Sequence, residues 1–153
     1  MAGFDAIYKQ TVTLFNRFKK EDAIYWYPTV LENVHLIIDR SILIATYGEH
    51  CSDNARLHVR YLPDGNDAII GDKKYRLPKE FAREGDPGSD ITFAFGDDFD
   101  FIMEGEFGST VPVPDADYRS GFFNYMNRTY DNVFAITSVS KFNLLPHFEI
   151  GAR

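Results

Sequence analysis

Asp98, Asp100, Glu104 and Glu106 place four carboxylates in one short stretch of the chain, where they could do chemistry together. Read as a strand, the stretch puts all four on one face and Phe99, Phe101 and Met103 on the other, because successive side chains alternate. Carboxylates two residues apart on a strand lie about 7 Å from each other, close enough to share a hard cation if a loop supplied more oxygens. The spacing is not that of a calcium loop, and no glycine falls where such a loop turns. The pattern therefore predicts a solvated acidic face over a core face. On that reading Phe101→Ala costs about 3–5 kcal/mol and Asp100→Ala about half a kcal/mol or less. A glycosidase pair needs a second carboxylate in an apolar pocket, and none can be identified.

His35, His50, His58 and His147 are scattered, and Cys51 is the single cysteine, so no zinc-site spacing occurs. Cys51 beside His50 suggests a thiol nucleophile, but neighbours in a strand point to opposite sides and cysteine is more often simply buried. The chain has no G-x-S-x-G elbow, Walker loop or G-x-G-x-x-G. The expectation is a protein that is not an enzyme and needs no cofactor or metal. Arg56, His58 and Arg60 form one basic strand face that complements the acidic stretch. Cross-strand pairing inside one subunit, or plain solvation, is favoured over a contact between subunits.

The elements that hold these residues read mostly as strands. Residues 11–15 and 25–39 are rich in Val, Ile, Thr and aromatics, with Pro28 and Asn33 as interruptions. Residues 55–62 alternate, with Leu57, Val59 and Tyr61 on one face. Gly71-Asp72 fits a Gly-first hairpin turn, and Gly96-Asp97 predicts a second hairpin between residues 91–95 and 99–107. Residues 78–84 and 122–128 predict short helices, the first with proline in its first turn. Residues 133–139 and 144–150 return to strand character, and Pro146 marks the last as an edge.

Two segments stand apart. Phe4, Ile7 and Tyr8 make an apolar stripe at helical spacing, too short to be stable alone, which predicts an N-terminal arm over residues 1–10. Residues 108–121 are poor in apolar side chains and carry Pro112 and Pro114 around Val113, which predicts a projecting loop. Both should order mainly against a neighbour. The fold expected is one mostly β domain over residues 11–153, a barrel or sandwich with two or three short helices.

The chain has 153 residues, the size of one domain with a continuous core. Its 16 basic and 23 acidic residues give a net charge of −7, the wrong sign for gripping phosphate backbones without sequence preference. The 14 Phe and 9 Tyr exceed what a small core needs and point toward partners. The opening Met1-Ala2-Gly3-Phe4-Asp5 lacks the basic and apolar regions of a signal peptide, and no stretch is apolar enough for a membrane span, so a cytoplasmic protein without a membrane partner is expected.

Two stretches together resemble the small head-completion, or minor capsid, proteins of tailed bacteriophages. Val12-Thr13-Leu14-Phe15-Asn16-Arg17 followed by Trp26-Tyr27-Pro28-Thr29-Val30-Leu31-Glu32-Asn33-Val34 looks like their opening strand pair. Ile91-Thr92-Phe93, Gly96-Asp97 and Phe101-Ile102-Met103-Glu104-Gly105-Glu106 are similar to their strand, Gly-Asp turn and strand ending in a Gly-acid pair. The whole chain also looks like a group of uncharacterised phage and prophage proteins through residues 99–106, 121–127 and 134–149.

The resemblance implies a β-barrel-like subunit of a homo-oligomeric ring in the virion neck, assembled in the host cytoplasm. That subunit acts as an adaptor or stopper between a portal or adaptor protein on the head side and a tail protein on the other. Viral DNA passes through its lumen without sequence-specific binding, and an acidic lumen keeps the passage slippery. The interface residues expected are Phe4, Ile7, Tyr8, Arg56, Arg60, Asp98, Asp100, Glu104, Val113 and Tyr118. The alternatives are a tail-side protein such as a tail terminator, or a small metal-binding enzyme.

Overall fold

The computed structural model describes residues 7–39 and 55–153. Two long strands start the fold: β1 (Gln10–Lys20) and β2 (Ala23–Ile38) pair antiparallel from Lys20↔Ala23 back to Gln10↔Val34. Near the far end the register slips between Gln10 and Val12, and Asn33 takes a left-handed φ of 56°. Asparagine tolerates that conformation better than most residues, so the interruption read from sequence is a bulge. Bulges bend strands, and beyond this one β2 pairs with β3 (Ala55–Arg60) through His35↔His58 to Ile38↔Ala55. Pro28 sits opposite Phe15, between the stretches of β2 that pair with β9 (Val113–Pro114) and with β3, so its missing N–H breaks no second ladder.

β1 also pairs with β8 (Phe101–Glu104), β8 with β10 (Val133–Phe142), β10 with β11 (His147–Ala152), and β11 with β3. Since β3 returns through β2 to β1, the six strands close into an antiparallel barrel. Closure leaves these strands no open edge. A smaller sheet of β4 (Leu62–Asp64), β5 (Asp67–Ile70), β6 (Lys73–Tyr75) and β7 (Asp90–Ile91) adds to it, with α1 (Pro78–Glu84) bridging β6 and β7. Gly71-Asp72 makes the two-residue turn between β5 and β6, and Gly71 has the positive φ of 65° that a Gly-first turn requires.

Alternation along the barrel strands builds two cores. Leu14, Ile102, Ile136, Leu57, Phe148 and Ile150 belong to the larger one, which Ile70, Ile91 and Phe93 of the small sheet and its flank also join. Phe15, Phe101, Met103 and Val133 face the other way and meet Phe122 and Met126 of α2 (Phe122–Thr129). Phe15 stacks on Phe101 with centroids 4.6 Å apart. β1, β8 and β10 are thus covered on both faces where they cross, and six phenylalanines (Phe15, Phe81, Phe93, Phe101, Phe122 and Phe148) are fully buried. Much of the aromatic surplus that pointed toward partners is the material of a double core.

Several expectations change. Residues 91–95 and 99–107 are not the arms of one hairpin: β7 joins β6 in parallel, whereas β8 joins β1 and β10. β11 is not an edge, because it is laddered on both sides and Pro146 precedes it. Tyr8 is not part of a free arm. Its ring is buried, packs against His35 at 6.3 Å and lies under the Arg60 guanidinium at 4.5 Å. Residues 108–121 do not simply project either, since β9 pairs with Tyr25 and Trp26, and Val113 and Tyr118 pack on the second core.

Asp115 explains how so polar a segment is held. Its Oδ1 accepts from Trp26 Nε1 and from the Phe122 backbone N–H, both at 2.9 Å, so one carboxylate ties β2 to the first turn of α2. Negative charge also suits a helix start. Asp115→Ala should lower unfolding stability by about 1–3 kcal/mol, because both donors lose their partner. Urea titration measures this, and limited proteolysis should cut faster between Gly108 and Gly121 than in the parent protein.

Candidate functional site

The barrel brings histidines from three strands onto one outer face. In β3 the pattern Arg56, His58, Arg60 turns outward while Leu57 and Val59 are buried. His58 stands opposite His35 on β2 and opposite Glu149 on β11, and His147 follows on the same side of β11, opposite Arg60. The His58 and His147 rings stack at 5.9 Å, and Phe142 stacks on the other side of His147 at 4.9 Å. Nε2 of His58 lies 3.8 Å from Glu149 Oε1, and Nε2 of His147 lies 3.4 Å from Oε2. One ligand atom from each of the three residues lies within 4.8 Å of the other two, a candidate metal site among the described residues. Burial draws the His58 imidazole below its ordinary pKa, against the opposing pull of Glu149.

A second polar cluster lies inside the fold. Asp100 is buried, and its carboxylate accepts from the Arg17 backbone N–H at 2.7 Å, from Asn16 Nδ2 at 2.9 Å and from the Ala94 backbone N–H at 2.9 Å. Burial pushes this carboxyl up to about 7. Asn16, itself buried, also donates to the Thr92 carbonyl at 2.7 Å. These bonds fasten β1 to the segment leading into β8. They hold structure together at the floor of a cleft of about 760 Å³ whose lining includes Arg17, Leu77, Phe95 and Asp98.

The expected acidic face is therefore corrected. Asp100 shares the buried side of Ile102, Asp98 is exposed and 3.5 Å from Arg17 Nη1, and Glu104 is exposed and accepts from Asn132 Nδ2 at 3.0 Å. The basic face meets Glu149 in its own subunit rather than the stretch around Asp98. Ile7 is exposed beside the buried Tyr8, and Arg56 is exposed. Phe4, His50 and Cys51 lie outside the described residues. The His58–His147–Glu149 group escaped the sequence reading because its members come from two strands far apart in the chain. The alternation of His147 and Glu149 in the last strand was the one local sign that both face the same way.

Fold and site together define a small, closed antiparallel β-barrel domain with a histidine–carboxylate cluster on its outer wall. The chain belongs to DUF6751, a family of unknown function, which it matches over residues 7–153. No curated protein and no solved structure matches it.

Proposed function

We propose that the chain is the barrel subunit of a homo-oligomeric ring at the head–tail junction of a tailed-phage particle, where it serves as an adaptor or stopper. The observation that supports this is the closed barrel, the fold that the resemblance to head-completion proteins implies. Exposed apolar side chains at separate places are consistent with buried contacts in a ring, among them Leu77 and Phe95 at the cleft and Leu144 and Leu145 at the β10–β11 turn. The net charge of −7 suits a lumen that DNA must pass without sticking. Removing the gene from a phage or prophage that carries it should leave tailless heads, emptied of DNA where the subunit is the stopper, and separate, complete tails. Tails of uncontrolled length would instead mark a tail terminator, and normal infectious particles would end both assignments.

A second reading is a small metal-binding protein. His58, His147 and Glu149 favour it, and that observation concerns chemistry directly, whereas a barrel is a fold that hosts many functions. The two readings are compatible, because a subunit of a particle can carry a metal.

A further inference from the structure

We propose that His58, His147 and Glu149 bind one divalent ion of the late first-row transition series, with zinc as its representative. This rests on the metal-binding reading and deepens it by naming the ligand atoms and the class of ion. The ring assignment does not depend on it.

Hydrogen bonding around His147 carries the inference. Its Nδ1 lies 2.6 Å from the Leu145 carbonyl oxygen. A carbonyl can only accept, so Nδ1 bears a proton, and Nε2 is the ring nitrogen that faces Glu149 Oε2 at 3.4 Å. A metal ion between Nε2 and the carboxylate would satisfy both, as a proton on Nε2 would, and nitrogen NMR separates the two. The Nδ1–H to backbone carbonyl bond is also the outer-shell contact that fixes tautomer and ring orientation in histidine ligands. Leu145, which supplies that carbonyl, holds a φ of 51°, a conformation kept only where the surroundings enforce it.

His58 completes the set from the neighbouring strand. The β3–β11 ladder places it directly opposite Glu149. For metal bonds of about 2.0–2.1 Å, the edge of a tetrahedron is about 3.3 Å. The observed 3.4 and 3.8 Å run to the two different oxygens of Glu149, and the near-parallel rings of His58 and His147 must turn toward each other for both Nε2 atoms to reach one ion. A depression of about 310 Å³ lined by Arg56, His58, Ser140, Phe142 and Glu149 leaves room for water at the remaining position. Arg56 lines this depression and Arg60 stands opposite His147 on the same face, so positive charge opposes the ion and limits affinity. Two imidazoles with one carboxylate select zinc, cobalt, nickel or copper over calcium and magnesium, which prefer oxygen donors.

The test is titration of tag-free protein with Co²⁺ by visible absorption and with Zn²⁺ by calorimetry. One equivalent of Co²⁺ should bind, Zn²⁺ should displace it, and Mg²⁺ and Ca²⁺ should give no signal. His58→Gln and Glu149→Gln should each weaken Zn²⁺ binding at least tenfold with the far-ultraviolet circular dichroism unchanged, while His50→Ala and Cys51→Ser should leave it in place. Nitrogen NMR of the parent protein gives a readout free of any folding defect: Zn²⁺ should shift Nε2 of both His58 and His147. Binding that survives both triad variants would move the metal elsewhere and overturn this assignment while sparing the metal-binding reading. No binding at all, with a proton held on His147 Nε2 instead, would overturn both.

Discussion

Asp100→Ala should destabilise the domain by about 3–5 kcal/mol, as much as Phe101→Ala, although one residue is a carboxylate and the other an aromatic. Phe101 is fully buried between Phe15, Trp26 and Phe122, and removing its ring leaves a cavity worth about 3–5 kcal/mol. Asp100 on the opposite face is the acceptor for Asn16 Nδ2 and for the backbone N–H groups of Arg17 and Ala94. Each buried donor left unpaired costs about 1–3 kcal/mol, so losing several together reaches the same range. Urea unfolding of the two variants measures this. Asn16→Ala supplies the control, because its effect and that of Asp100→Ala should be strongly non-additive within one network. An Asp100→Ala midpoint equal to that of the parent protein would show that the carboxylate is a bystander.

The same pair of residues shows what could be read from sequence. β3 was legible because one of its faces is core and the other is not, so Leu57 and Val59 alternate against Arg56 and Arg60 in the chain itself. The Gly71-Asp72 turn was legible because its backbone demands glycine. β8 was not. Both of its faces are covered, one by barrel core and one by α2, so Asp100, an apparent member of an acidic face, sits on the side of Ile102. A buried acid satisfied by backbone donors looks the same in sequence as a solvated one. Residues 108–121 were misread for a related reason: Asp115 anchors them by hydrogen bonds, and apolar content carries no trace of that. The histidine cluster depends on β3 lying beside β11, a pairing between distant parts of the chain that local periodicity cannot supply.

Asp100 also gives the fold a pH dependence opposite to that of most carboxylates. Opposing effects meet at this carboxyl: burial disfavours the charged form, and the three N–H donors, with the charge of Arg17, favour it. Burial wins, and the group rises from 3.8 in the unfolded chain to about 7 in the fold. The folded state therefore holds the proton more tightly than the unfolded state. The stability this contributes is fully present below about pH 4 and is lost as pH rises through about 7. At about 1.36 kcal/mol per pH unit, the full span is on the order of 4 kcal/mol. Other carboxylates and histidines titrate over the same range, so the informative quantity is the stability of the parent protein minus that of Asp100→Asn, measured by urea unfolding from pH 4.5 to 8. That difference should fall steadily toward neutral pH and flatten beyond it. A difference that grows with pH would mean the N–H donors outweigh burial and Asp100 is folded as the charged carboxylate.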